Sequence, residues 1–565
     1  MEQLWLILHW LEEQLENGVS SYQRWQIVAA TATLTLAVYT TRNLYHNRQD
    51  VWESIRKWSF KMVRTIPSVN RRISERIDEA RSEIERAIYK NTGGDSSRVP
   101  LMALPPTGWT RDQVLQAAST LLSEGRYEWQ DGKMSGGTFS GDNAAYNSLM
   151  EQMFGLFALS NPLHADVFPG VMKMEAEIVR MTISLFHGTD NHCGSLTSGG
   201  SESILMAVKA MRDWGREVRG IEQAEIVGCV TVHAGFDKAA DLLGMKLRKV
   251  DMDPKTCKVK LSAMQRAINS NTVMLVASAP QFPHGIIDDV EEIGALGQRY
   301  NVPVHVDCCM GGFILPFMEA AGYPLPLFDF RVPGVTSISA DTHKYGNAPK
   351  GSSVIMYQSA EHRHYQYFVV PDWPGGIYGS PTIPGSRPGG LVAVCWAALL
   401  YHGFTGYTQA TQKIITTARN IKRLLKDDPS IQVFGDPLAS IVAFGSKEVD
   451  IYKVGDTLGQ HGWHLNFLQY PPGIHICLTT LQVADDFAGR FVHAVKEAIE
   501  QVRLEPKGMA SLGKLYGTVA SIPDKSLVGE AAKVFLTCYY KTETVRRDEE
   551  TENLGDRDQE TAKRI

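Results

Sequence analysis

The sequence predicts an α/β fold. A mostly parallel sheet carries helices on both faces, a smaller C-terminal α+β domain follows it, and a single transmembrane helix precedes it. Three observations predict this. Short apolar runs of strand length alternate with helical runs between about residues 226 and 356, the pattern of a parallel sheet wound with helices. From about Ala410 onward, long helical stretches with few strands replace that alternation. Near the N-terminus, the 17 residues from Trp25 to Thr41 carry no charged side chain.

The chain has 565 residues, 44% hydrophobic and 21% charged, which is a globular composition and not a disordered one. Its net charge of −5 gives no bulk electrostatic case for nucleic-acid binding. Eight cysteines lack any Cys-x-x-Cys spacing, which argues against a zinc or dithiol site and fits a reducing compartment.

In chain order, residues 1–24 carry Glu2, Glu12, Glu13 and Glu16 against Arg24 alone. Residues 25–41 are at the short end for a spanning helix, with Trp25 and Tyr39 placed to suit an aromatic belt. Arg42, Arg48, Arg56, Lys57, Lys61 and Arg64 follow, so the positive-inside rule puts the C-terminal side in the cytosol and residues 1–24 in a lumen. A buried or interfacial helix is the alternative. Residues 42–107 read as a charged amphipathic stalk, with Ile73, Ile77, Ala80 and Ile84 at helical spacing, ending in a Gly/Ser/Pro linker. An N-terminal arm is expected over 108–170, a large domain over 171–405 and a small domain over 406–541. In the large domain, strands are expected at 226–232, 273–278, 302–307, 335–339 and 353–356, with helices at 237–243 and 290–300. The tail 542–565 is charged and almost devoid of apolar residues, and is expected to be disordered.

Four places carry candidate chemistry. Lys344 follows the strand-like Val335-Thr336-Ser337-Ile338-Ser339, where open α/β sheets place their ligands. Partial burial there is expected to lower its pKa and make the amine nucleophilic. His343 precedes it; an exposed His-Lys turn is the bland alternative. Gly200 and Ser201, in Thr197-Ser198-Gly199-Gly200-Ser201-Glu202-Ser203, open an apolar helical run, where free N–H groups and the helix dipole favour an anion. The alternative is a plain N-cap. His233 ends the strand at 226–232 and could stack on a planar ring or serve as a capping or core histidine. Asp307 ends the strand at 302–307. A carboxylate there can keep a heterocyclic nitrogen protonated; as a metal ligand it lacks a second ligand at suitable spacing.

Further motifs complete the pattern: Ser160-Asn161-Pro162-Leu163-His164, Phe168-Pro169-Gly170, Pro280-Gln281-Phe282-Pro283-His284-Gly285, Ala340 to Ser352, Gly375 to Thr382, and Gly385-Ser386-Arg387-Pro388-Gly389. On these residues, roughly 100–540 resemble the fold-type I enzymes dependent on pyridoxal 5'-phosphate (PLP). Within them the chain is similar to the group II decarboxylase-like branch, and more closely to the sphingosine-1-phosphate lyase family. The resemblance implies Lys344 as the PLP lysine, His233 as the stacking residue and Asp307 as the pyridinium partner. It implies Gly200, Ser201, His343 and Ser380 as cofactor contacts, and His164, Lys350 and Arg387 at the substrate phosphate, Arg387 being equally readable as structural. It further implies a homodimer in which the loop from Tyr378 to Arg387 reaches the partner's site, anchored in the endoplasmic reticulum membrane with a cytosolic catalytic domain. The implied reaction is retro-aldol cleavage of a phosphorylated sphingoid base to a long-chain aldehyde and ethanolamine phosphate. The general base stays open among Lys344, a histidine and the cofactor phosphate.

The sequence departs from that family twice. Phe139 and Asn347 stand where tyrosines are common, with Tyr146 as a possible substitute hydroxyl. Two other functions remain on the table: an amino-acid decarboxylase, and a membrane-tethered paralogue that binds without turnover.

Overall fold

The structure is a computed structural model that describes residues 101–123, 129–141, 143–505 and 525–540, with isolated positions nearer the N-terminus. Nearly all of the expected spanning helix at 25–41 and of its flanks up to residue 100, and the tail at 542–565, lie outside the described residues. The chain divides into two compact units, Arg126–Ser521 and a second made of Met1–Gly125 with Ile522–Ile565. In the second unit the helix Arg111–Leu122 opens with a capping box: the Thr110 hydroxyl accepts from the Gln113 N–H, and the Gln113 side chain accepts from the Thr110 N–H.

The unit Arg126–Ser521 is built on a seven-stranded sheet. Its strands are β1 (Cys193–Thr197), β2 (Glu225–Cys229), β3 (Lys246–Val250), β4 (Thr272–Ser278), β5 (Val304–Asp307), β6 (Val335–Ala340) and β7 (Ser353–Tyr357). Their order is β1-β7-β6-β5-β4-β2-β3. β7 runs antiparallel to both of its neighbours, and the remaining pairs are parallel, so the sheet is mixed. All seven residues of β4 are buried, as expected of a central strand covered on both faces.

The strand expected at 226–232 ends at Cys229, because the chain turns there: the Val232 N–H donates to the Cys229 carbonyl. Two strands had no clear sequence signal. β1 is Cys-Gly-Ser-Leu-Thr, without a β-branched run. β3 is Lys-Leu-Arg-Lys-Val, a half-exposed edge strand whose charges guard against edge pairing.

Helices cover the sheet. α1 (Ala144–Phe157) and α2 (Pro169–Leu185) precede β1. α3 (Gly200–Arg219) follows β1 and ends at Gly220 with φ 65°, a left-handed cap that glycine adopts without strain. α4 (Gly235–Leu242) follows β2, and α5 (Val290–Tyr300) lies between β4 and β5. A hairpin of β8 (Phe368–Trp373) and β9 (Gly376–Ser380) leads into the long α6 (Gly389–Lys426), which is broken at Gly403 (φ 57°, ψ 178°).

Beyond α6, β10 (Ile431–Val433), β11 (Ile441–Ser446), β12 (Asn466–Leu468) and β13 (Gly473–Cys477) form an antiparallel sheet in the order β10-β11-β13-β12. α7 (Ile451–Gln460) and α8 (Phe487–Leu504) accompany it. Phe444 of β11 meets Phe491 of α8 edge-on at 6.3 Å, and both rings are fully buried. Burial of a ring of this size stabilises the fold by about 2–3 kcal/mol.

Candidate active site

Every parallel strand of the large sheet points its C-terminal end to one edge, and the candidate residues collect along it. Gly200 and Ser201 follow β1, His233 follows β2, Asp307 ends β5, and Lys344 follows β6. They do not come from consecutive strands: β4 lies between β2 and β5, and β7 lies between β1 and β6. Register fixes the centre of the edge, with Ser278, Asp307 and Ser339 side by side on β4, β5 and β6.

Lys344 sits at the heart of this arrangement. Its Nζ lies 2.9 Å from Oδ2 of Asp341, whose side chain is only 2% exposed. The expectation of a depressed lysine pKa is not met. Burial alone would lower it, but the Asp341 carboxylate overrides burial, with help from Asp307, and holds it above the usual lysine range. Asp341 shifts the opposite way. Burial would raise its pKa, yet Lys344 and His343 pull it below the usual carboxylate range. Oδ1 of Asp341 is buried without a hydrogen-bond partner.

The start of α3 faces the same lysine turn. Gly199 is its N-cap and supplies no side-chain cap, so the first N–H groups remain available to an anion. Glycine is required at 199 and 200. A Cβ on Gly200 would lie 2.8 Å from both Asp341 oxygens, and one on Gly199 would lie 3.2 Å from the His343 ring. His343 is held there by the Ser352 N–H, which donates to its Nδ1 at 3.2 Å, with Asp341 3.6 Å from its Nε2. Burial, followed by the two lysines Lys350 and Lys344, lowers its pKa against the pull of Asp341. Hydroxyls of Thr197, Ser203 and Ser353 interlock at 2.7–2.8 Å and tie β1, α3 and β7 into a rigid base. A cavity of about 230 Å³ opens beside this helix start, lined by Ser198, Ser201, Gly235, Lys238 and Ile383 among others.

His233 is exposed, and the Gly235 N–H donates to its Nδ1 at 3.0 Å, which fixes the ring and its tautomer. Asp307 is buried. Its Oδ1 accepts from the Cys309 N–H at 3.1 Å and from the Ser339 hydroxyl at 3.4 Å. Ser339 is in turn hydrogen-bonded to Nε2 of the fully buried His305, whose Nδ1 meets the Ser337 hydroxyl.

Lys350 reaches back over the lysine turn. Its Nζ donates to the His343 carbonyl at 3.0 Å and lies 4.6 Å from the centre of the Phe139 ring. Phe139 is buried edge-on against Tyr345. Tyr146 does not present a free hydroxyl in place of the missing tyrosines: its OH donates to the Asn347 carbonyl at 2.6 Å. Asn347 holds φ 58°, a left-handed conformation that asparagine tolerates better than larger residues.

The remaining expected residues form a second group. Asn161 Nδ2 donates to the Ser386 hydroxyl, and the Arg387 N–H donates to Asn161 Oδ1. This joins the turn that carries His164 to the loop before α6. The Arg387 guanidinium is bonded to Glu175 of α2 at 2.6 Å, with both side chains nearly buried. His164 is exposed. Ser380 is buried, and its hydroxyl donates to the Thr382 and Pro384 carbonyls.

These residues suit PLP. An uncapped helix start accepts a phosphate, a lysine accepts an aldehyde, a buried carboxylate accepts a ring N–H, and an exposed, oriented imidazole offers a stacking face. The two glycines provide the close approach that a bulkier residue would block. Sequence reasoning missed Asp341 and the His305–Ser339 pair. The first is detectable as a carboxylate three residues before the lysine in a tight turn; the second depends on register between β5 and β6.

Comparison with known proteins agrees with this chemistry. A family model described as the pyridoxal-dependent decarboxylase conserved domain matches residues 99–447. The sphingosine-1-phosphate lyase of Drosophila melanogaster is 43% identical over 532 residues, covering 94% of this chain and 97% of that protein. Sphingosine-1-phosphate lyase 1 of Mus musculus is 45% identical over 533 residues, covering 94% and 92%. Among solved structures, a sphingosine-1-phosphate lyase of Burkholderia pseudomallei superposes with a TM-score of 0.69 at 39% identity, covering 75% of this chain and 98% of that one. A Lactobacillus brevis glutamate decarboxylase, at 20% identity and a TM-score of 0.63, shares the fold. With a lysine, a buried carboxylate and an uncapped helix on one sheet edge, and relatives this similar over nearly the whole chain, the chain belongs to the sphingosine-1-phosphate lyase family.

Proposed function

We propose that this protein is a PLP-dependent lyase that cleaves the C2–C3 bond of phosphorylated sphingoid bases, releasing a long-chain aldehyde and ethanolamine phosphate. The observation that carries this reading is the convergence of Lys344, Asp307 and the uncapped start of α3 on one edge of the sheet. PLP bound there supplies an electron sink for the pair released when the carbon–carbon bond breaks.

The chain's own residues do the rest. The Gly200 and Ser201 N–H groups and His343 hold the cofactor phosphate, with Ser380, the last residue of β9, as a further contact. The ring of His233, fixed by Gly235, stacks on the cofactor. Asp307, its plane set by Cys309 and Ser339, keeps the ring nitrogen protonated. Lys344 supplies the covalent tether and is placed to carry a proton. His164 and Lys350 bind the substrate phosphate, which fixes the angle of the bond to be broken; this is positioning catalysis. Arg387, committed to Glu175, fixes the loop before α6 to which the turn carrying His164 is bonded.

The same reading extends to assembly and location. The β8–β9 hairpin exposes Phe368, Val369, Trp373 and Ile377, an apolar surface that a second copy of the chain would cover in a homodimer. The uncharged stretch at 25–41 would anchor the protein in the endoplasmic reticulum membrane, residues 1–24 in the lumen and the catalytic unit in the cytosol. An anchor suits a substrate whose long tail partitions into the bilayer.

Product analysis tests the reaction. PLP-loaded protein given a phosphorylated sphingoid base should yield aldehyde and ethanolamine phosphate in equal amounts, and far less from the base without its phosphate. Carbon dioxide released from an amino acid instead would overturn the assignment.

A further inference from the structure

Asp341 is the one carboxylate in ion-pair contact with Lys344 among the described residues, and nothing in the reaction as derived above uses it. It stands 2.9 Å from the lysine, is 2% exposed, and keeps Oδ1 buried and unpartnered. The backbone of Gly200 closes over it, so solvent has little access. A lysine ammonium in this pair is not a nucleophile, and although the lysine side chain is 21% exposed, the base in direct contact with its Nζ is Asp341. Yet the lysine must lose a proton before it can join to a cofactor aldehyde.

We propose that Asp341 is the internal proton acceptor that arms Lys344 for covalent capture of PLP. The inference rests on the assignment of Lys344 as the PLP lysine. One proton passes from Nζ to the Asp341 carboxylate, which becomes a carboxylic acid. The freed lone pair forms the C–N bond to the aldehyde carbon. The two hydrogens left on Nζ depart with the aldehyde oxygen as water, and no oxidant or reductant is needed. Neutralising Asp341 in this way also removes a negative charge from beside the helix start at the moment a phosphate arrives there.

The surroundings limit the alternatives for that proton. Facing the pair are His343 and Lys350 from the lysine turn, Asp307, Cys308 and Cys309 from the end of β5, and Cys477 from β13. The two thiols nearest, Cys308 and Cys309, are held protonated by burial and then by the neighbouring carboxylates, so they do not compete for the proton. Asp307 is committed to Cys309 and Ser339.

The consequence is a distinctive pH dependence. While Asp341 is ionised and Lys344 protonated, the proton moves within the pair, so the fraction of free amine does not follow solvent pH. An exposed lysine instead gains free amine about tenfold per pH unit below its pKa.

The test uses full-length protein freed of cofactor. PLP is added for fixed times between pH 6 and 9, adducts are reduced with borohydride, and peptide masses report capture at Lys344 and at exposed lysines such as Lys255 in the same sample. PLP's own titration then cancels. In the unmodified protein, capture at Lys344 should stay flat relative to the exposed lysines, which climb about tenfold per unit. In Asp341→Asn, capture at Lys344 should climb with pH, and Asp341→Glu should restore the flat profile. A Lys344 profile parallel to that of the exposed lysines in the unmodified protein overturns the inference even if the asparagine variant does not fold. No adduct at Lys344 at any pH overturns both this inference and the PLP assignment, which separates the two failures.

Discussion

The Lys350 ammonium lies 4.6 Å from the centre of the Phe139 ring, so a residue that departs from the family's usual tyrosine still supports the proposed phosphate-binding lysine. The ring face attracts the cation, and the hydroxyl is not needed for that. The Lys350 head also donates to the His343 carbonyl, which fixes it over the ring.

Phe139→Leu removes the ring face and should weaken the hold on Lys350 by about 1 kcal/mol. The expected result is a KM for phosphorylated sphingoid base raised about fivefold, with a smaller change in kcat. Phe139→Tyr keeps the face and should leave KM near the wild-type value. Equal KM values in wild type and Phe139→Leu would remove the ring from the account.

The Arg387–Glu175 pair is nearly buried, and breaking it leaves an uncompensated charge. Glu175→Gln should lower the unfolding free energy by about 3 kcal/mol, read from urea denaturation. Because the backbone N–H of Arg387 still holds Asn161, the KM of the residual folded enzyme should stay near wild type. A large KM increase with unchanged stability would instead make Arg387 a direct phosphate ligand.

Asn347 carries a backbone strain that its neighbours accommodate. At φ 58°, glycine is at ease and a bulky residue is not. Asn347→Gly should raise stability by up to about 1 kcal/mol, and Asn347→Tyr should lower it by about the same amount, both read as shifts in Tm. Activity in Asn347→Tyr is then judged only after its folded fraction is measured.

Much of this fold was legible in the chain. β4, β5, β6 and β7 are short, apolar and bounded by turn residues, and their burial follows from that pattern. Asp307 and Lys344 were legible because the first ends such a strand and the second follows one. β1 and β3 were not, because neither has a β-branched run: β1 is small and polar, and β3 is a charged edge. The sign of the lysine's pKa was also out of reach. It depends on whether the carboxylate three residues earlier folds back onto the amine, a tertiary fact of the turn. The Arg387–Glu175 ion pair was out of reach for the same reason, since Glu175 lies far away in sequence on α2.

Three fully buried histidines make stability depend on pH. Burial lowers His284, His305 and His475 to about 4, well below the usual histidine value of about 6.5. Above pH 6.5 both folded and unfolded chains hold them neutral. Below it, the unfolded chain takes protons that the folded chain refuses, so stability is lost progressively as pH falls towards 4. Each contributes a loss of up to about 1.4 kcal/mol per pH unit. Buried Asp288, pushed up to about 6 by burial, takes up a proton in the fold and offsets part of this. Urea unfolding between pH 7 and 5 should show a net fall, and a flat profile would contradict the buried-neutral assignment.

The central claim is tested most directly by aldehyde release. Full-length protein loaded with PLP is given a phosphorylated sphingoid base, alongside a Lys344→Ala variant treated identically. The account predicts aldehyde and ethanolamine phosphate in equal amounts from the wild type, and a loss of at least about a thousandfold in the variant. Aldehyde release that survives in Lys344→Ala, or a wild type that captures PLP at Lys344 and yields no aldehyde, would contradict it.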